Sequence, residues 1–188
     1  VIDPHLKWVL RSKLKELHQR VKATMIYVTH DQTEALTFAD EVVVMQDGEV
    51  VQIGTPVELF ERPQHTYVGH FIGSPGMNVL PCETRGDKAV FEGHDVALEG
   101  AVTGDGGQVS LGVRPEHVRV AQTGIPATVT KVSDVGRHFV IEARVGASSL
   151  KAVLEEAPPE KGSAVHLTFQ SEKTRVYRDG WIATEARA

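Results

Sequence analysis

The sequence has little of what marks secreted, membrane-spanning or nucleic-acid-binding proteins. Its 188 residues include one cysteine, Cys82, so no intrachain disulfide can form, and this usage fits a reducing cytoplasm. No run approaches the roughly 20 apolar residues of a membrane-spanning helix. The 25 acidic residues outnumber the 20 basic ones, and aromatic residues make up only 6%. We therefore expect no nucleic-acid partner and no direct insertion into a membrane.

Two kinds of ligand motif are also missing. No Gly-x-x-x-x-Gly-Lys-Ser/Thr stretch is present to cradle the phosphates of a nucleotide. The nine histidines lack Cys, Asp or Glu partners at metal-ligand spacing on one face. We expect no metal site and no complete nucleotide site within these 188 residues.

Residues 1–75 have the pattern of an α/β domain. Apolar residues recur every three or four positions from Leu6 to Val21, which predicts an amphipathic helix opened by Asp3 and Pro4. The β-branched run at 24–29 follows this helix and lacks alternation. We interpret it as a buried strand of a parallel sheet that is covered on both faces.

Turn and capping signals define the rest of this half. An Asp-Gly pair at Asp47-Gly48 joins two strand-like runs and favours a tight hairpin, because both turn positions need positive φ. Thr55 and Glu58 form a capping box, with proline at the first helical position. The pattern predicts this hairpin and short helices over residues 33–39, 57–61 and 67–72.

The pattern changes at the breaker cluster Ser74-Pro75-Gly76. Beyond it, short runs divided by glycines predict strands and almost no helix. We place a boundary near residue 75 and expect two domains, 1–75 and 76–188, the second a small barrel or sandwich. The predicted strands cover residues 88–91, 96–98, 108–113, 125–135, 139–145, 150–153, 164–169 and 174–177.

One stretch carries most of the functional information, and it runs Val-Thr-His-Asp-Gln-Thr-Glu-Ala from Val28 to Ala35. It puts His30 at the carboxyl end of the predicted buried strand, where ligands sit in open α/β sheets. From the residues alone, His30 either contacts a phosphate or is a satisfied polar residue at a strand end.

The order of these motifs closely resembles the end of the nucleotide-binding domain of bacterial sugar-importer ATPases of the ATP-binding cassette (ABC) family. The resemblance spans roughly residues 1–78 and includes Gly-Thr-Pro-x-Glu-Leu-Phe and Phe-Ile-Gly after the hairpin. It implies that His30 is the switch-loop histidine that contacts the γ-phosphate of ATP. It also implies that Asp3 ends a loop at the interface of two subunits, and that the intact protein uses ATP and Mg²⁺.

The second half supports the same resemblance. The segment Leu-Gly-Val-Arg-Pro-Glu-His-Val from Leu111 to Val118 is similar to part of the transport-associated OB-like (TOBE) domain of these importers. In family members this domain mediates dimer contacts and sometimes binds regulators or small anions, and the sequence does not identify such a ligand. For Arg114 and Glu116, a structural ion pair or turn contact is favoured over a ligand site.

The expected fold class is an α/β remnant of a P-loop ABC ATPase domain followed by an all-β OB-like small barrel domain. Because the Walker A, signature and Walker B motifs are absent from the sequence, we expect a C-terminal piece of a longer subunit that is not catalytic by itself.

The resemblance also implies a function for the intact subunit. It would energise import of a carbohydrate, polyol or glycerol-phosphate, as a cytoplasmic homodimer held on the inner face of the membrane by transmembrane permease subunits. The alternative, from a different class, is a regulatory module that binds a small ligand or a protein and dimerises.

Overall fold

The computed structural model describes residues 4–85 and 88–185. Within them, four α-helices all lie in the first part of the chain, and most of the strands follow. The helices are α1 (Pro4–Val21), α2 (Gln32–Phe38), α3 (Pro56–Glu61) and α4 (Thr66–Phe71).

The strands form one hairpin before α3 and a β-rich body after α4. The hairpin strands are β1 (Val42–Gln46) and β2 (Glu49–Gly54). The later strands are β3 (Asn78–Pro81), β4 (Glu83–Arg85), β5 (Lys88–Phe91), β6 (His94–Val96), β7 (Ala101–Val102), β8 (Val109–Val113), β9 (Val118–Ala121), β10 (Ile125–Asp134), β11 (Phe139–Val145), β12 (Ser148–Leu154), β13 (Ala164–Phe169), β14 (Thr174–Arg178), β15 (Trp181–Ile182) and β16 (Thr184–Glu185). Single 3₁₀ turns at Pro115–His117 and Ser171–Lys173 precede β9 and β14.

The buried parallel strand predicted at 24–29 is not formed. Residues 22–29 have no regular structure, and Ile26 and Val28 are 88% and 89% exposed. A strand persists when neighbouring strands take up its backbone hydrogen bonds, and in the described ranges no strand pairs with this segment. The strand prediction is therefore wrong for this chain, and with it the position of His30 at a strand end.

The expected α/β layer of residues 1–75 is accordingly not seen. In the described part of this half, the strands are those of the antiparallel hairpin β1–β2. The helices and hairpin instead share a small core of Val42, Val44, Leu59, Val68 and Ile72. What the structure shows is a mostly β protein with a short helical segment in front of an OB-like body.

The hairpin and the capped helix after it form as predicted. Asp47 and Gly48 have φ of 52° and 86°, the positive values that the tight turn requires. At the start of α3, the Thr55 hydroxyl accepts from the Glu58 backbone N–H at 3.2 Å, and the Glu58 carboxylate accepts from the Thr55 N–H at 2.8 Å. Two unpaired N–H groups of the first helical turn are thereby satisfied.

The β-rich body is built from antiparallel sheets around one large core. Its main sheets have the strand orders β12-β11-β10-β13-β9 and β15-β14-β8-β3, and a three-stranded sheet β4-β5-β6 lies beside them. The side chains that alternate inward from these strands bury the core, including Phe91, Leu111, Ile141, Leu150 and Leu167. The strand β8 carries the segment that ends at Arg114, which places this residue between the body and the helices.

We predict that Thr55→Ala lowers the free energy of unfolding of the chain by about 1 kcal/mol, because it removes the side-chain cap of α3. Urea denaturation monitored by circular dichroism measures this change. The control is Thr123→Ala, which alters an exposed threonine in the loop after β9 and should change the free energy of unfolding by less than about 0.5 kcal/mol. Equal effects of the two substitutions would contradict a stabilising role for the capping box.

Candidate functional site

His30 lies in an exposed bend directly before α2. The helix behind it is anchored by Asp31, whose Oδ1 accepts from the backbone N–H groups of Thr33 and Glu34 at 2.9 and 3.3 Å. The imidazole is therefore presented to the outside from a capped helix start and is not enclosed in apolar packing.

A buried carboxylate holds the irregular segment before His30 in place. Glu34 is 5% exposed, and its Oε2 accepts from the hydroxyls of Thr29 at 2.9 Å and Tyr27 at 3.2 Å. Its Oε1 pairs with Lys7 of α1 at 3.3 Å. The hydrogen bond from Thr29, together with those from Lys7 and Tyr27, lowers the pKa of Glu34 below its usual value. Sequence reasoning missed this role, although Glu34 stands inside the motif that singled out His30.

The other predicted site residue cannot be placed. Asp3, expected at an interface between two subunits, lies outside the described residues. Its interface role therefore stays a prediction.

Among the polar residues that the sequence analysis singled out, Arg114 is the most deeply buried. Only 4% of it is exposed. Its Nε donates to the carbonyl of Phe60 at 2.7 Å, and its Nη1 donates to the carbonyls of Ile72 at 2.6 Å and Gly69 at 3.4 Å. The guanidinium also lies over the Phe60 ring, 3.8 Å from its centroid.

These contacts place a fixed cation at the carboxyl ends of two helices. Phe60 lies near the end of α3, and Ile72 directly follows α4. The last carbonyls of a helix have no partner within it and carry the negative end of the helix dipole, so a cation that donates to them is favoured. Burial lowers the pKa of Arg114, and these carbonyls and the aromatic face offset that cost.

Further contacts flank Arg114 and join the same two parts of the chain. The Tyr177 hydroxyl, fully buried, donates to the carbonyl of Pro63 at 2.9 Å, and burial raises its pKa. Lys173 forms an ion pair with Glu61. A Cβ added at Gly112 would come within 2.4 Å of the Tyr177 ring, so only glycine at this position lets β8 approach that ring.

The structural role expected for Arg114 agrees with this geometry, although its partners differ from the expected ones. They are backbone carbonyls of the helical segment, and within the described residues no ion pair with Glu116 is formed. We call Arg114 with Phe60, Gly69 and Ile72 the Arg114 clamp. The sequence indicated only a cationic residue at the end of a predicted strand. Its partners lie more than 40 positions away in the sequence, so no local pattern could identify them.

Three further features bear on function in the part of the chain that the structure describes. No three or more His, Cys, Asp or Glu side chains are grouped there so that they could hold a metal ion. Burial raises the pKa of Cys82 to about 11, so its thiol stays protonated and unreactive at neutral pH. No helix in the same residues has the length and apolar character needed to cross a bilayer.

We predict that Arg114→Met lowers the free energy of unfolding by about 2–4 kcal/mol. It leaves the carbonyls of Phe60 and Ile72 buried without a donor, at about 1–3 kcal/mol each, while the desolvation of the guanidinium is relieved. Urea denaturation of the chain measures the change. Arg144→Met, at an exposed position of β11, is the matched control, and an equally small effect of both substitutions would contradict the clamp.

Comparison with known proteins identifies the two β segments. Residues 73–118 match the MalK OB fold domain family, and residues 111–176 match the TOBE domain family. Among solved structures, the cytoplasmic molybdate-binding protein ModG covers 53% of this chain at a TM-score of 0.42 and 10% identity, too low to support a conclusion.

Several bacterial proteins are similar to most of this chain. It is 42% identical over 160 residues to the uncharacterized ABC transporter ATP-binding protein y4oS of Sinorhizobium fredii, covering 82% of this chain and 43% of that protein. It is 37% identical over 173 residues to the sn-glycerol-3-phosphate import ATP-binding protein UgpC 2 of Agrobacterium fabrum, covering 88% and 46%. It is 35% identical over 184 residues to UgpC of Escherichia coli K12, covering 94% and 52%.

The chain spans about half the length of these curated relatives. The family matches show that it carries a MalK-type OB domain and a TOBE domain. Because it matches the C-terminal part of ATP-binding subunits of ABC transporters, the chain belongs to that family.

Proposed function

We propose that this chain is the C-terminal part of the ATP-hydrolysing subunit of an ABC importer for a carbohydrate, a polyol or glycerol-phosphate. The observation that carries the proposal is the similarity of 82–94% of this chain to ATP-binding subunits of ABC transporters, and the Arg114 clamp joins the segment that follows His30 to the OB-like body. The UgpC relatives are named as sn-glycerol-3-phosphate import proteins, which supports this choice of substrate class.

Within this function, residues 1–75 are the end of the nucleotide-binding domain and residues 76–188 are its regulatory domain. The exposed apolar side chains of the first segment support this division. Leu6, Ile26 and Val28 are 59%, 88% and 89% exposed, which is unusual for a complete domain surface. The rest of a nucleotide-binding domain would cover them and would supply the neighbouring strands that residues 24–29 need.

His30 is proposed to contact the γ-phosphate of bound ATP. Phosphoryl transfer is catalysed mainly by positioning and by stabilising charge on the transferred group. An imidazole at a capped helix start can orient an attacking water and donate toward the developing charge. ATP with Mg²⁺ supplies the phosphoryl group, and since the sequence has no phosphate-binding Gly-Lys-Ser/Thr loop, His30 would contribute one contact to a site held mainly by other residues.

The assembly follows from the same proposal. Two copies of the subunit would close on ATP, with Asp3 at the interface between them. Transmembrane permease subunits would hold the pair at the cytoplasmic face of the membrane, so that closure drives import. Through the Arg114 clamp, movement of the helical segment would reach the regulatory domain as a rigid displacement.

We predict that His30→Ala in the longer subunit lowers the ATPase rate at least roughly 10²-fold, as the loss of one transition-state contact commonly does. The measurement is phosphate release at saturating ATP. The matched control is His70→Ala, which removes an exposed imidazole from α4 and should leave the rate unchanged.

Two results would contradict this account. A near-normal rate for His30→Ala would assign His30 a structural role. ATP turnover by the 188-residue chain alone, above that of buffer, would show that the missing phosphate-binding motifs are not needed.

A further inference from the structure

A second junction between the helical segment and the β-rich body lies where the connection from α3 to α4 passes β15. The backbone N–H of Thr66 donates to the carbonyl of Gly180 at 2.8 Å. The N–H of Ile182 donates to the carbonyl of Gln64 at 2.8 Å, which completes an antiparallel bridge. The N–H of Gln64 also donates to the side-chain oxygen of Gln52 in β2 at 2.8 Å. The hairpin, α4 and the body therefore meet at this one short connection.

His65 lies at the centre of this junction and is the capping residue of α4. Its Nδ1 accepts from the backbone N–H of Tyr67 at 3.1 Å, which satisfies one of the unpaired donors of the first helical turn. Its ring meets that of Trp181 edge to face, with 4.8 Å between the centroids. A Cβ added at Gly180 would come within 2.4 Å of its Nε2, so the ring lies directly against the backbone of the body.

The hydrogen bond at Nδ1 fixes the protonation state of the His65 ring. A ring nitrogen that accepts a hydrogen bond carries no proton, so the neutral ring carries its proton on Nε2. In the imidazolium both nitrogens are donors, and Nδ1 would then face the N–H of Tyr67 with a hydrogen of its own. A positive charge is also disfavoured beside the N–H groups at the start of a helix. The docked arrangement therefore requires the neutral ring.

The environment of the ring also disfavours a cation. Burial lowers the pKa of His65. The indole of Trp181 attracts a cation at its face, but Trp181 is 50% exposed, and such contacts are weak at exposed sites.

Nearby carboxylates do not compensate a charge on His65. The titratable side chains of the surrounding elements are Glu49 of β2, Glu61 and Arg62 at the end of α3, Tyr67 and His70 of α4, and Arg178 and Asp179 beside Gly180. Glu61 is paired with Lys173. Asp179 accepts from a backbone N–H in the loop before β8. Glu49 lies at the turn of the β1–β2 hairpin. These three described carboxylates therefore leave an imidazolium at His65 unpaired.

We propose that His65 is a pH-sensitive switch, in which protonation of the ring removes the cap of α4 and releases the helical segment from β15. The direction follows from linkage. Because the pKa of the docked ring lies below its ordinary value of 6.5, the released ring binds the proton more tightly. The junction has its full stability above about pH 6.5 and loses stability as the pH falls from there toward the pKa of the docked ring.

Acidification would thus uncouple the helical segment from the body at this junction, while Arg114, which stays charged throughout this range, keeps its clamp. The inference does not rest on the proposed function, because neither His30 nor Asp3 takes part in the junction.

The first test is a titration of the 188-residue chain from about pH 7.5 to about pH 5 by nuclear magnetic resonance of its histidine ring nitrogens. We expect His65 to carry its proton on Nε2 at the upper end and to titrate below its ordinary pKa. The amide signals of Tyr67 and Ile182 should shift with the same midpoint, because the cap and the bridge loosen together. A proton on Nδ1 at neutral pH, or a ring pKa at or above 6.5, would overturn the proposal.

The second test measures release by native-state hydrogen exchange at both ends of this pH range. The Ile182 amide is hydrogen-bonded across the junction. Its protection factor should fall by up to about tenfold for each unit by which the pKa of the docked ring lies below its ordinary value. His65→Asn cannot be protonated but keeps a capping acceptor, so this variant should retain most of the protection at low pH.

His70→Asn is the matched control, because it removes an exposed imidazole from the same helix. It should lose protection at Ile182 as the unmodified chain does. Burial also lowers the pKa of His117, and the pH dependence that His117 adds is shared by both variants, so the difference between them reports His65. An equal loss of protection in His65→Asn and in the unmodified chain, or no loss in either, would overturn the proposal.

Discussion

The guanidinium of Arg114 is the group on which the contact between the two parts of the chain depends. It is almost fully buried, and it donates to carbonyls at the ends of both α3 and α4 while it stacks on Phe60. Each of these helices has six residues, far fewer than the roughly 12–15 that an isolated helix needs to be stable in water. Their stability must therefore come from caps and from packing against the rest of the protein.

The distribution of the core explains why this contact matters. The body buries a large apolar cluster of its own, whereas the helices and hairpin share a cluster of five buried apolar residues, of which three are fully buried. A core of that size offsets little of the conformational entropy lost on ordering a segment. The helices are therefore stabilised by contacts with the ordered body, which are made by Arg114, Tyr177 and the Lys173–Glu61 ion pair. The orientation of α2 and of the bend at His30 then depends on that support and on the Asp31 cap.

The elements that could be predicted are those whose interacting residues lie within a few positions of one another in the sequence. The Asp47-Gly48 turn and the Thr55 capping box formed because their partners lie within three positions. Strands over 88–91, 139–145 and 164–169 matched their predicted bounds because short apolar runs separated by glycine or turn residues define them. The short strands β3 and β9 were not predicted, since proline or a turn interrupts their pattern and their pairing is settled by distant strands.

The failures share a physical cause. The run at 24–29 has the composition of a buried strand, but a parallel strand is stable only when neighbours cover it, and composition does not report whether those neighbours are present. Arg114 was recognised as structural, yet its partners are carbonyls, which every residue carries, so the sequence could not name them. His30 was singled out by a motif, whereas the Glu34 contacts that hold the preceding segment became visible only in three dimensions.

Native-state hydrogen exchange of the chain tests the Arg114 clamp most directly, because it reports the opening free energy of each element separately. The backbone amides of Gly69 and Ile72 are hydrogen-bonded within the α4 region, and that of Val176 lies in the core of the body. If the clamp joins the two parts into one cooperative unit, these amides exchange with the same opening free energy. Exchange of Gly69 and Ile72 through openings much less costly than that of Val176 would show that the helical segment opens independently, and would contradict the account.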